Sequence, residues 1–187
     1  MGLPQWPMKA RLSGLRRRKA SPHGQAMTEF ALVAPILLVL LFSVLEGSFL
    51  LFTVATARFA TGEAARQLSE DGNAAAADLN ALAVIRKTGL ATTSLGTVNH
   101  VDIYRLDQAS DGTLTVDLAH FNSYKIDGTP IGSINWPPAS RNITNGQMDF
   151  VGVTIYYQYN WKSGFFSAAG NLKLNNAVYI RLEPQLY

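Results

Sequence analysis

Two carboxylates stand against or inside a long apolar run. Glu29 directly precedes Phe30, and Glu46 lies within the stretch "FALVAPILLVLLFSVLEGSFLLF", residues 30 to 52. Five residues before Glu29 is Gly24. If the chain is cut after Gly24, Gln25 carries a new positive amine. Glu29 then stands at i,i+4 from it, one helical turn away. The spacing alone leaves two readings of Glu29 open: a carboxylate that only starts the helix at the membrane interface, or a counter-charge for such an amine. An unpaired charge in a membrane is costly, and a carboxylate in a first helical turn is favoured by the helix dipole.

The remaining chemistry-bearing residues form no constellation. His23, His100 and His120 lack ligand spacing, and His100 with Asp102 would share a strand face without a third ligand. There is no cysteine, which excludes disulfides, thiol catalysis and Cys-ligated metals. No nucleophile–base set or phosphate loop is present, so no enzymatic activity, cofactor or metal is expected. Asn142-Ile143-Thr144 is read as a chance sequon. "YYQYNW", residues 156 to 161, places Tyr157 and Tyr159 on one strand face and Tyr156 with Gln158 on the other, which reads as core and rim packing, with a surface-adhesive patch as the second reading.

The elements that must position Gly24, Gln25 and Glu29 are a leader and a span. The net charge of +3 is unevenly distributed. Lys9, Arg11, Arg16, Arg17, Arg18 and Lys19 precede Gly24 with no acid among them, and the rest of the chain is net acidic. That distribution excludes a nucleic-acid footprint spread over a folded face. The 23 residues of the apolar run cover about 34 Å as a helix, enough to span a hydrocarbon core of ~30 Å with some tilt. The basic flank places the N-terminus in the cytoplasm and residues 55 to 187 outside.

Pro35 interrupts the run, removing one backbone hydrogen bond. Its two readings are a tolerated kink and an aid to bending when the helix leaves the membrane. Glu46 lies about 7 to 8 Å past the middle of the span, toward the outer side. Ser43 and Gly47 make a small-xxx-small pair beside it. Glu46 would accept a donor within an assembly, be protonated, or lie near the outer interface.

Beyond the span, "TVATARFATGEAARQLSEDG" continues the helix. Ala57, Ala60, Ala64 and Leu68 form its apolar stripe, and Glu63 and Arg66 lie opposite at i,i+3. Asp71-Gly72-Asn73 is a break. A second helix, "AAAADLNALAVIRKT", is expected to close at Gly89 as a C-terminal cap. Strands are expected at 98–106, 113–121, 149–161 and 177–183, with a hairpin turn at Ser110-Asp111-Gly112. Residues 127–147, with Trp136-Pro137-Pro138, read as a long loop. The fold class is α+β: a long N-terminal transmembrane-to-extracellular helix, a second short helix and a small antiparallel sheet. The segments are a leader (1–24), a transmembrane helix (25–54), a helical region (55–92) and a β-rich domain (93–187).

"GQAMTEFALVAPILLVLLFSVLEG", "ATARFATGEAARQLS" and the late "AVYIRLEP" resemble the TadE-like pseudopilins of tight-adherence (Flp) pilus systems. The matching features are Gly24, Glu29-Phe30, Pro35, Ala64-Ala65-Arg66 and Arg181-Leu182-Glu183-Pro184. The likeness is strong over residues 24–70, weaker over 150–185, and not visible between. It implies cleavage after Gly24 by a prepilin peptidase and a non-enzymatic role in assembling or priming a Flp-type adhesion pilus. Glu29, Phe30, Pro35, Glu46 and Gly47 would contact other pilin helices. Implied partners are other pilins and pseudopilins, the prepilin peptidase, the pilus assembly platform and the lipid bilayer. The implied location is the bacterial cytoplasmic membrane, single-pass, with the C-terminal domain outside.

Two other readings compete. Ala55-Thr56-Ala57 fits a secretory cleavage site, with Arg16-Arg17-Arg18 as an export signal, but the apolar run exceeds a signal-peptide core. A single-pass anchored binding or sensor domain without a pilus role predicts no cleavage at all.

Overall fold

The computed structural model describes Gly2, residues 22–164 and residues 166–184. The basic leader, apart from Gly2 and the residues from 22 on, lies outside them. The chain divides into two compact units, Met1–Leu40 and Leu41–Tyr187. Helix α1 (Pro22–Asp71) contributes to both.

In the first unit α1 exposes almost every side chain, including Phe30, Leu32, Ile36 and Leu40. Pro35 lies inside the helix. Among the described residues α1 is the one helix long and apolar enough to cross a membrane. Apolar surface of this extent left bare needs lipid or protein to cover it, and the single N-terminal apolar helix suggests a single-pass membrane anchor.

In the second unit α1 changes character. Ala57, Ala60, Ala64 and Leu68 are all buried, as their spacing requires. Thr53, Thr61, Ala65 and Ser69 widen that face. The buried Thr61 satisfies its hydroxyl on the Ala57 carbonyl at 2.8 Å, so a polar residue costs little there. On the opposite side Arg66 pairs with Glu63 at 3.1 Å and with Glu70. The helix ends at Asp71, and Gly72 follows with φ +55°, a conformation open to glycine without a Cβ penalty.

Helix α2 (Ala77–Lys87) buries Ala77, Asp78, Ala81, Leu82 and Ile85. It does not close at Gly89. The chain leaves it extended at Thr88 (φ −83°, ψ 162°), and Gly89 opens the short helix α3 (Gly89–Thr92). Glycine is wanted here for close approach, because a Cβ at 89 would lie 3.3 Å from Thr56 Cγ2 of α1.

Four strands follow: β1 (Gly96–Gln108), β2 (Leu114–Tyr124), β3 (Phe150–Tyr159) and β4 (Leu172–Arg181). They form one antiparallel sheet in the order β2-β1-β3-β4. The β1–β2 turn carries Gly112 at φ +87°, and the Thr113 N–H donates to Asp111 Oδ1 at 2.9 Å. Strand β4 starts at Leu172, five residues before the stretch read as a strand. "LKLNN" alternates apolar and polar residues, and pairing with β3 recruits it despite its two asparagines.

One sheet face carries Val101, Ile103, Val151, Val153, Ile155 and Tyr157 into a core shared with the α1 and α2 alanines. Small helix residues let the helices lie close to the sheet. On the other face the Tyr104 ring covers Gly152, its pairing partner, and donates or accepts a 2.8 Å bond with Thr154 Oγ1. A Cβ at 152 would fall 2.3 Å from Tyr104 Cε2. Gly152→Ala is therefore expected to displace that ring and lower stability by about 1–3 kcal/mol. A denaturant midpoint unchanged from the parent chain would contradict this packing.

Residues 127–147 are more ordered in their contacts than a solvated loop. Trp136 is buried in the core, the segment contains a 3₁₀ turn at Pro138–Ser140, and Tyr124 bridges to Pro130.

Candidate functional site

The residues singled out by sequence fall into two places, one in each unit.

In the first, Gly24 and Gln25 are exposed within α1. Helical spacing sets Glu29 beside residue 25, and Gln25 Nε2 donates to Glu29 Oε1 at 2.9 Å. Thr28 Oγ1 donates to the Gly24 carbonyl at 2.9 Å. A Cβ at Gly24 would meet nothing within 4 Å, so packing in this chain does not demand a glycine there. Phe30 is exposed beside this group, and Pro35 shares an apolar, open recess with Ile36, Val39 and Leu40. Nothing in the chain itself explains why Gly24, Glu29 and Phe30 stand in this order.

The second place is centred on Glu46, which is only 2% exposed. Its carboxylate is held by its own chain. Tyr159 Oη donates to Oε1 at 3.0 Å, the Lys162 N–H to Oε1 at 2.6 Å, and the Ser163 N–H to Oε2 at 3.1 Å. Two backbone N–H groups and a phenol satisfy both oxygens, and hydrogen bonds to an ionised acceptor are among the stronger ones. Lys162 Nζ donates to the Ser94 carbonyl, and the Asn160 N–H to Leu95 O at 2.9 Å. The segment after β3 is thus tied both to α1 and to the chain entering β1. Burial pushes the Tyr159 hydroxyl up to about 12, with the neighbouring Glu46 charge adding to it. Gly47, next to Glu46, faces open space, with nothing within 4 Å of an added Cβ.

The late motif Arg181-Leu182-Glu183-Pro184 also docks on α1. Ser69 Oγ donates to the Arg181 carbonyl at 2.8 Å, and the Glu183 N–H donates to the Ser69 carbonyl at 3.1 Å. Leu182 is buried, with its N–H on the Asp149 carbonyl at 3.0 Å. Two of the three stretches that carry the resemblance, "ATARFATGEAARQLS" and "AVYIRLEP", are therefore joined by hydrogen bonds.

One cluster was not anticipated. Asp78, in the first turn of α2, pairs with Arg141, both buried. Tyr124 Oη donates to Asp78 Oδ2 at 2.7 Å and Asn122 Nδ2 to the same oxygen at 3.2 Å. Asn122 also exchanges bonds with the Trp136 backbone, its Nδ2 donating to the carbonyl at 2.6 Å and its Oδ1 accepting from the N–H at 2.9 Å. The Arg141 guanidinium lies 4.6 Å from the Trp136 ring centre. Burial, and then the Asp78 charge, raise the Tyr124 hydroxyl well above its ordinary range. This group pins the 127–147 segment against α2 and β2. A signal was present in the sequence: Asp78 falls on the apolar face of "ADLNALAVIRK", at helical spacing from Ala81, Leu82 and Ile85. A carboxylate on such a face needs a buried partner.

His100 Nε2 lies 3.8 Å from Asp102 Oδ2. Among the described residues no group of three or more His, Cys, Asp or Glu side chains could hold a metal.

No curated protein and no solved structure matches the chain. A family model does match residues 24–66, the stretch that begins at the glycine and ends within the part of α1 that carries the buried alanines. That model describes TadE-like proteins, so the chain has a TadE-like N-terminal segment, consistent with a pilin-type protein associated with a tight-adherence (Flp) pilus system.

Proposed function

We propose that this chain is a non-enzymatic minor pilin, a pseudopilin that helps assemble or prime a Flp-type adhesion pilus. In this reading a prepilin peptidase removes the leader after Gly24, on the cytoplasmic side. The domain that follows the span stands outside the membrane, and α1 packs among the helices of other pilins on the assembly platform.

The observation that carries the reading is the arrangement at residues 24–30. Glu29 already reaches back one turn to residue 25. After cleavage the same reach would bring its carboxylate to the new amine of Gln25, in its own chain or in a neighbour entering the filament. A charge that must be paired inside an apolar environment would select the axial register in which the pairing is made. The exposed apolar surface of α1 supports lateral packing of helices once lipid is left behind.

The test is the N-terminus of the membrane-bound protein, read by mass spectrometry. A start at Gln25 is expected. An intact leader in cells with active prepilin peptidase would favour the anchored binding or sensor domain, and a start at Arg58 the secreted protein. Glu29→Ala is expected to leave cleavage largely intact while reducing piliation about tenfold or more, roughly 1.4 kcal/mol of lost register selection. Normal pilus counts by electron microscopy in that variant would remove the register argument.

A further inference from the structure

We propose that residues 161–164 and 166–172 form a membrane-contact foot, which rests the domain on the outer leaflet of the bilayer that α1 spans. This rests on the single-pass reading of α1 and adds a second, interfacial contact to it.

Glu46 holds the backbone of Lys162 and Ser163 directly. The recess beside this contact is lined by Phe42, Leu45, Phe49, Lys162 and Ser163, so the foot begins against apolar side chains of the span. Counted along the helix, Glu46 lies about 7 to 8 Å beyond the middle of the apolar run. Half of a ~30 Å core is about 15 Å. Whatever is bonded to Glu46 therefore lies within about 7 to 8 Å of the outer hydrocarbon boundary. Interfacial segments bury to a depth of about 5–10 Å. The three donors on Glu46 also resolve the problem of a carboxylate at that depth, since they replace the water it loses.

Trp161 is half-buried, with its ring 5.5 Å from Phe166 and edge-on to Tyr159 at 5.2 Å. Its Nε1 is already satisfied by the Gly170 carbonyl at 2.6 Å. An indole with its polar atom bonded and an apolar face available suits the boundary between headgroups and acyl chains. Leu172 is exposed on the same segment. Between Asp149 and Glu183 the sequence contains no Asp or Glu, whereas Lys162 lies on the foot and Lys173 directly follows it. An aromatic segment with cations and no acid complements an anionic lipid surface.

The experiment uses the full chain reconstituted in vesicles of phosphatidylethanolamine with phosphatidylglycerol. The absence of native cysteine allows a single spin label at Gly164→Cys, where an added Cβ meets nothing within 4 Å. A control label sits at Ser110→Cys in the β1–β2 turn. Flotation of the vesicles establishes insertion independently of either label. The label at 164 is expected at a depth of about 5 to 10 Å, accessible to oxygen and shielded from a water-soluble nickel reagent, with the label at 110 fully aqueous. If the floated protein shows label 164 as aqueous as label 110, the foot is refuted while the anchor stands. If label 164 is shielded from both reagents, a second protein chain covers the segment and the lipid contact is likewise refuted. Failure to float overturns the anchor and the foot together.

Discussion

Arg141→Ala is expected to destabilise the second unit by about 3–5 kcal/mol, the range for breaking a buried ion pair from one side. Asp78 would keep Tyr124 and Asn122 as donors but would lose its counter-charge in a site from which water is excluded. Trp136 would lose the cation over its ring. Two further Arg141 nitrogens, Nε and Nη1, are buried without a protein partner, so the pair is held at a desolvation cost even in the parent chain. That cost makes a second result decisive. Asp78→Asn combined with Arg141→Met removes both charges and keeps an acceptor for Tyr124, and it should recover most of the loss. Denaturant unfolding of the detergent-solubilised chain, followed by tryptophan fluorescence, reads both effects. A single variant within about 0.5 kcal/mol of the parent would show that the cluster does not hold the 127–147 segment.

Glu46→Ala is the second large effect, about 2–4 kcal/mol. It deprives Tyr159 Oη and the Lys162 and Ser163 N–H groups of their acceptor at once, and each bond to a charged group contributes about 1.5–3 kcal/mol before water compensates. Hydrogen exchange should show the loss locally, as faster exchange at Lys162 and Ser163, with the β1–β3 ladder changed much less. Glu46→Gln keeps the shape and one acceptor oxygen and should fall between. In that variant the Tyr159 pKa should drop from about 12 toward ordinary tyrosine, retaining the part due to burial. The sign of the pH effect follows. A tyrosine whose folded pKa exceeds its unfolded value of ~10 binds its proton more tightly when folded. Its contribution is complete below about pH 10 and is lost as pH rises toward 12. Glu46→Gln should flatten that alkaline decline. An unchanged slope, or unaltered exchange at Lys162 in Glu46→Ala, would sever the proposed link between α1 and the segment after β3.

These effects bear on function through α1. In the proposed reading, in which the helix leaves the membrane for a filament, the domain is drawn along by residues 41–71 of that helix. Glu46 ties the segment after β3 to α1, and Ser69 ties the end of β4 to the same helix through Arg181 and Glu183. On the side of the loop and β4 these attachments use backbone groups, the Tyr159 hydroxyl apart, so they depend little on the other side chains there. That leaves the exposed side chains of the loops free to vary without loosening the domain.

What the sequence determined by itself was local. Period decided it for the apolar run and the alanine stripe at 57, 60, 64 and 68, because one buried face of a helix dictates its own spacing. The strands and the β1–β2 turn were legible from alternation and from Gly112, which needs positive φ. The grouping of Gly24, Gln25 and Glu29 was legible because one helical turn sets it. Tertiary structure decided everything that joins distant residues. Glu46 reads in sequence as a lone carboxylate in a span, since its donors come from residues 159 to 163, and chain position cannot show which donors a fold will deliver. Gly89 reads as a cap and is in fact a point of close approach to Thr56. Residues 127–147 read as loop because Gly, Pro and Asn dominate their composition, yet Trp136 and Arg141 are drawn inward by Asp78 and Asn122. A partner for a buried charge is a property of packing, and no periodicity within one segment encodes it.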